Sequence, residues 1–258
     1  MPPDRRGQPS EQAARNLRLV VAYDGSTYCG WQRQPRVPTV QGTIEAALAQ
    51  LTQAPVSLRG AGRTDAGVHA EGQVANFYSD SALSSHRLLK GLNALLPAPI
   101  AVRSVEDVSL DFDARRDNEG KHYRYQLYRP QHRDTERVRR AWHVFGELDL
   151  EAMARAGQAL VGRHDFAAFR AADCERETTV RTLYRVGLRQ RGELLLIDVE
   201  GTAFLKNMVR IIAGTLVDIG RGRLPEGRAH ELLASGDRTA GGVTAPAAGL
   251  TLQRVYLR

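Results

Sequence analysis

Residues Lys121 to Arg129 alternate in polarity with a period of two: Tyr123, Tyr125 and Leu127 share one side, and His122, Arg124, Gln126 and Tyr128 the other. Such a stretch suits a strand with one face on a core. Leu17, Leu19, Val21 and Tyr23 repeat the pattern near the start of the chain, where Asp24-Gly25 closes it as a turn. Gln73–Tyr78 and Ile100–Val108 read as further strands, and Val180–Leu188 with Leu194–Val199 as a hairpin around Arg191-Gly192. Between them the period changes. Ile44, Leu48 and Leu51 place one apolar face on a helix over 44–54. Ser84 or Ser85 caps a second helix, which Pro97 stops, and Asp149 caps a third over Leu150–Val161. Phe204–Ile219 and Glu226–Ala234 are the last helices, and Leu252–Leu257 closes the chain as a strand.

This order predicts an α+β fold in two similar-sized halves, with mainly antiparallel sheets flanked by helices. The halves are expected at residues 17–111 and 112–258, after a flexible tail over 1–16. The length of 258 residues accommodates them. The tail holds a basic pair but no apolar run, so it does not read as a signal peptide. No stretch approaches a membrane span: the best candidate, 204–219, is interrupted by Lys206, Asn207, Arg210 and Asp218. Cys29 and Cys174 stand far apart without a Cys-x-x-Cys spacing, which argues against a zinc knuckle or a disulfide framework and fits a reducing cytoplasm.

Charge points to a polyanion. The chain carries +7, and residues 115–140 alone hold nine cations against four acids, a net +5. The cations are Arg115, Arg116, Lys121, Arg124, Arg129, Arg133, Arg137, Arg139 and Arg140, interleaved with Tyr123, Tyr125, Tyr128 and Trp142. Arginine for phosphates with aromatic faces for bases is the composition of an RNA surface. A solvated strand whose tyrosines pack inward has the same composition, so the segment alone leaves both readings open.

The densest chemistry lies in Ala61-Gly-Arg-Thr-Asp-Ala-Gly-Val-His-Ala70. Gly60, Gly62 and Gly67 permit tight backbone and close approach of a ligand. Asp65 in that frame reads as a nucleophile or base, or as a turn residue bonding its own backbone. Arg63 is placed to grip phosphate or balance charge, and His69 reads as a packed or hydrogen-bonded structural residue. On a helix over 204–219, Phe204, Met208, Ile211, Ile212, Leu216 and Ile219 gather on one face. Arg210 falls on the other, near Lys206, Asn207 and Gly214, either as a solvated cation or as part of a site. Gly214 leaves room there for a neighbouring loop.

The loop GRTDAGVHA resembles the catalytic motif of the tRNA pseudouridine synthase A family. Other segments resemble that family in the same order: Tyr23-Asp24-Gly25 with Gly30-Trp31-Gln32-Arg33-Gln34, then Asn93 to Pro97, Phe112 to Arg115, and Tyr123-Arg124-Tyr125. Gly162 to Arg170, Phe204 to Arg210 and Gly249-Leu250 follow, so that the resemblance covers about residues 17–258. Ala167-Ala168 departs from the more polar pair expected there. The resemblance implies isomerisation of uridine to pseudouridine at positions 38, 39 and 40 of the tRNA anticodon arm, with no cofactor and no metal. It also implies a homodimer, and a catalytic cleft between the two halves. By the same resemblance Asp65 is the catalytic carboxylate, Arg210 its ion-pair partner, and Tyr123 the active-site tyrosine. Leu250 is an apolar residue of the pocket. Arg63, Thr64, Arg115, Arg116, Lys121, Arg124 and Lys206 are expected to meet RNA.

Two other readings compete. A non-catalytic tRNA-binding or chaperone protein of the same fold would not need Asp65, Tyr123 and Arg210 together. A hydrolase acting on a glycosidic or phosphoryl bond usually wants a second carboxylate or a metal cluster, and the sequence near the loop offers neither.

Overall fold

The computed structural model describes residues 15–130, 132, 134, 135 and 137–258. Residues 1–14 of the expected tail, and Arg133 of the basic segment, lie outside the described residues. Arg15 and Asn16 already belong to the first strand. The chain divides into two compact units, one made of the residues up to Glu119 together with Gln253–Arg258, the other of Gly120–Leu252.

In the first unit the strands are β1 (Arg15–Tyr23), β2 (Arg59–Gly60), β3 (His69–Ser79), β4 (Ile100–Val108) and the last residues of β10 (Leu250–Leu257). They run in the order β4-β1-β3-β10, with β2 beside β3. β1 is antiparallel to both neighbours, and Leu17 faces Phe77 while Leu19 faces Ala75. The alternation read in β1 thus turns Leu17, Leu19, Val21 and Tyr23 into the core. Two helices, α1 (Val40–Thr52) and α2 (Ser85–Leu95), bring Ile44, Leu48, Leu88 and Leu92 into the same core. α1 starts four residues before the expected Ile44 because the Thr39 hydroxyl accepts the Gly42 N–H and caps it there. For α2 the cap is Ser84, whose hydroxyl accepts the Arg87 N–H.

A buried polar network ties the end of this unit to its sheet. Asn76 donates to Asn16 Oδ1 at 3.0 Å, Asn16 donates to the carbonyls of Ser109 and Phe112, and Ala114 N–H donates to Asn76 Oδ1. Unpaired, these buried amides would cost stability; paired, they fix the path of residues 109–114. Asp113 next accepts from the Arg115 and Arg116 N–H groups and forms an ion pair with Arg59. Burial pushes the Asp113 carboxyl up, but Arg59 and the two N–H donors outweigh it and hold it below its ordinary value.

The second unit contains β5 (Asn118–Tyr128), which enters it at Gly120, then β6 (Trp142–His143), β7 (Gly162–Asp165), β8 (Val180–Arg191) and β9 (Leu194–Gly201). The order is β5-β9-β8-β7, antiparallel throughout, with the short β6 parallel to β5. Tyr123, Tyr125 and Leu127 are buried as the alternation requires, opposite Val199, Ile197 and Leu195 of β9. The helices are α3 (Leu150–Gln158), capped by Asp149, α4 (Met208–Gly220) and α5 (Arg228–Ser235).

α4 departs from the sequence reading. The expected helix begins at Phe204, but Asn207 adopts a left-handed conformation with φ +61°, so the helix begins at Met208. The expected polar side is also covered: every residue of α4 except the half-buried Arg210 is buried. A loop reaches it at Gly214, where a Cβ would stand only 1.8 Å from the Val243 carbonyl oxygen. Only glycine admits that approach.

Candidate active site

The first unit presents Asp65 on a loop held from both sides. β3 begins at His69, four residues before the expected Gln73, so the loop is short. Ala61 N–H donates to the Val74 carbonyl and the Gln73 side chain donates to the Gly62 carbonyl at 3.0 Å. Trp31 N–H then donates to the Thr64 carbonyl at 3.0 Å, and Tyr23 Oη and Thr64 Oγ1 share a buried hydrogen bond of 2.7 Å. Beyond Asp65, Val68 N–H returns to the Asp65 carbonyl at 3.2 Å, with Gly67 in the turn at φ +77°. That φ favours glycine.

The consequence for side chains is specific. Arg63 is exposed, Asp65 is half-buried, and Thr64 between them is buried with its hydroxyl engaged. Thr64, expected to meet RNA, faces the interior because Tyr23 supplies its partner there. Among the described residues of this unit, no hydrogen bond or ion pair engages the Asp65 carboxylate. An Asx-type turn is therefore not its role within the unit, and the carboxylate is left available for chemistry. Arg115 and Arg116 are exposed on the turn that Asp113 caps.

The second unit gathers Arg210, Tyr125 and residues 245–250. Arg210 Nε donates to the Ala245 carbonyl at 2.7 Å and Nη1 to Asn207 Oδ1 at 2.7 Å. The Tyr125 hydroxyl donates to the Pro246 carbonyl at 2.7 Å. Burial pushes the Tyr125 phenol well above its ordinary value, and the nearby Arg210 charge opposes the shift only in part. Tyr125 also packs directly under Gly249, the residue before the buried Leu250. Tyr123 is buried, with its ring 5.0 Å from that of Phe204, edge to face.

The remaining cations named from the sequence separate by environment. Lys121 is buried. Lys206 is exposed and paired with Asp173 at 2.5 Å. Arg124 donates to Asp198 at 2.8 Å, and the same carboxylate takes His122 at 2.7 Å and Arg189 at 3.0 Å. Together with Gln126, Arg137 and Arg191, Arg124 lines a concavity of about 460 Å³ beside the β8–β9 hairpin.

Tyr23, Gln73 and Asn76 escaped the sequence reading as supports of the site. All three stand on strands, where their polarity gave no sign of what they hold.

Residue for residue, the first unit holds a glycine-framed carboxylate with exposed arginines, and the second unit holds a guanidinium fixed by two hydrogen bonds close to Tyr125. The family model described as tRNA pseudouridine synthase matches residues 19–117 and 156–256, and the chain belongs to that family. Asp65 and Arg210 lie inside the matched segments; Tyr123 lies in the interval between them. Relatives called tRNA pseudouridine synthase A match nearly the whole chain. The protein of Geotalea uraniireducens is 48% identical over 242 residues, 94% of this chain and 99% of the relative. That of Myxococcus xanthus is 47% identical over 243 residues, 94% of this chain and 92% of the relative.

Proposed function

We propose that this chain is an isomerase that converts uridine to pseudouridine at positions 38, 39 and 40 of the tRNA anticodon arm. The observation that carries the reading is Asp65: a half-buried carboxylate, unengaged within its unit, on a tightly bonded loop that lies inside the segment matched by the family model and resembles the family motif. Membership of the tRNA pseudouridine synthase family supports the same conclusion.

The chemistry asks for the residues the chain has. A uridine in a structured arm must leave its stack before its glycosidic bond can be reached. Asp65 then attacks the sugar or removes a proton from it, and the N1–C1′ bond breaks. The uracil turns while still bound, C5 bonds to C1′, N1 gains a proton and C5 loses one. A carboxylate that must stay ionised as water leaves the pocket requires a fixed cation, and Arg210 is proposed as that cation. Tyr123 stacks on the flipped base and takes the C5 proton late in the reaction. Leu250 contributes an apolar wall.

Arg63, Arg115, Arg116, Arg124 and Lys206 are assigned to the RNA and Thr64 to the loop that carries Asp65, whereas Lys121, expected to meet RNA, is buried. The enzyme is proposed to work as a cytoplasmic homodimer, without cofactor or metal. The test is incubation with an unmodified tRNA transcript followed by base-specific mapping. New pseudouridine at 38–40 is expected. Tight tRNA binding with no pseudouridine anywhere would instead support a non-catalytic binder of the same fold.

A further inference from the structure

Asp65 receives no support from its own side chain within the unit, so its position depends on its backbone, and that backbone is clamped on both flanks. We infer that Tyr23 and His69 are positioning residues for the Asp65 carboxylate; this rests on the function proposed above and deepens it.

The upstream clamp is the Tyr23–Thr64 hydrogen bond of 2.7 Å, one residue before Asp65. Tyr23 occupies a core position on β1 and is 3% exposed, so a phenylalanine would fill the same space. The hydroxyl therefore adds a directional bond to packing that is already complete. Burial raises the phenol far above its ordinary value, against the opposing hydrogen bonds from Thr64 and Gln73. The group stays protonated under working conditions, and the bond to Thr64 persists.

The downstream clamp is indirect and equally specific. Val68 closes the Asp65 turn, and its carbonyl lies so close to Gly25 that a Cβ there would be 2.0 Å away. Gly25 is held in turn by its N–H, which donates to His69 Nδ1 at 3.2 Å. His69 is fully buried at the start of β3. Nδ1 can accept from a backbone N–H only if it carries no proton, so the proposed clamp requires the tautomer protonated at Nε2. Asp24 Oδ1 stands 3.2 Å from the same nitrogen and itself accepts from the Ser26 N–H and hydroxyl. His69 thus sets the place of Gly25, Gly25 sets the place of Val68, and Val68 closes the turn that begins at Asp65.

Reaction at C1′ tolerates little displacement: an error of about 1 Å in a reacting group costs roughly 100-fold in rate. Tyr23→Phe, His69→Asn and His69→Leu separate positioning from packing. Asparagine offers an oxygen near the place of Nδ1, whereas leucine offers only bulk. Single-turnover rates on a tRNA transcript, tRNA affinity, thermal midpoints and the imidazole ¹⁵N spectrum are measured on the full chain.

We expect Tyr23→Phe and His69→Leu to react about 10- to 100-fold more slowly at unchanged tRNA affinity. We expect His69→Asn to recover most of the rate, and the ¹⁵N spectrum to show Nε2-protonated His69 in the wild type. Full rates in Tyr23→Phe and His69→Leu would overturn the inference, as would equal losses in His69→Asn and His69→Leu, or a proton on Nδ1. Should His69→Leu fail to fold, the nearly isosteric Tyr23→Phe and the tautomer decide the matter. A wild type that forms no pseudouridine overturns the proposed function as well, whereas an active wild type with full-rate variants overturns the clamp alone.

Discussion

Arg210 Nε donates to the Ala245 carbonyl at 2.7 Å while Nη1 donates to Asn207 Oδ1 at the same distance. The guanidinium is thus fixed at two of its three nitrogens by its own unit. A cation held this way meets a developing charge without first reorganising, which is where electrostatic stabilisation is largest. Replacing it with alanine is expected to cost about 10²–10³-fold in turnover. Lysine restores the charge but not the two fixed bonds, so Arg210→Lys is expected to recover only a small part. Single-turnover rates of both variants check this; a near-wild-type rate for either would contradict the role proposed for Arg210.

Asp65 gives the cleanest separation of chemistry from binding. Its carboxylate has no partner among the described residues of its unit, so removing it leaves no buried donor unsatisfied there. Asp65→Asn and Asp65→Ala are expected to unfold at the wild-type temperature and to bind tRNA as tightly. Their turnover is expected to fall by about 10⁴-fold or more, in the manner of a lost reacting group. Calorimetry, a binding titration and pseudouridine mapping on the same preparations measure the three quantities. Affinity falling in step with rate would make Asp65 a binding residue.

Arg63 and Arg116 are exposed at the margins of the carboxylate loop and of the Asp113 turn. Each is expected to neutralise one RNA phosphate. Substituting either with alanine should weaken tRNA binding irrespective of sequence, and lower the slope of log Kd against log salt by about one unit. The double variant should lose about two. An unchanged slope would assign the residue to some other task.

Much of this architecture was legible in the sequence, for physical reasons that also mark where legibility ends. The alternation in β1 and β5 survives folding because each strand turns one face to a core, and the Ser84 and Asp149 caps satisfy helix N–H groups that have no other partner. β2 and β6 are two residues each, too short to display any period. The start of α4 depends on the left-handed Asn207, a backbone state that composition does not announce. Thr64 looked like a loop residue facing solvent, and only the phenol of Tyr23 from a distant strand turns it inward. The glycine-framed loop was legible through the motif, whereas what holds the loop was not, since Tyr23 and His69 carry the pattern of ordinary core residues.

Asp198 carries a stability prediction with a definite pH signature. Its carboxylate is almost completely buried on β9, yet it accepts from His122, Arg189 and Arg124. Burial alone would raise its pKa; the three donors outweigh burial and hold it far below the ordinary value of 3.8. A carboxyl lowered in the folded state contributes stability that is present in full above the unfolded value and lost as pH falls through the folded one. Asp198→Asn keeps the shape but removes the charge and leaves three donors facing a weaker acceptor, an expected loss of about 3 kcal/mol at neutral pH. Urea titrations at a series of pH values should show that gap narrowing below about pH 4, as acid protonates the wild-type carboxylate first in the unfolded and then in the folded chain. A gap that stayed constant into strong acid would show that the three donors orient Asp198 without stabilising its charge.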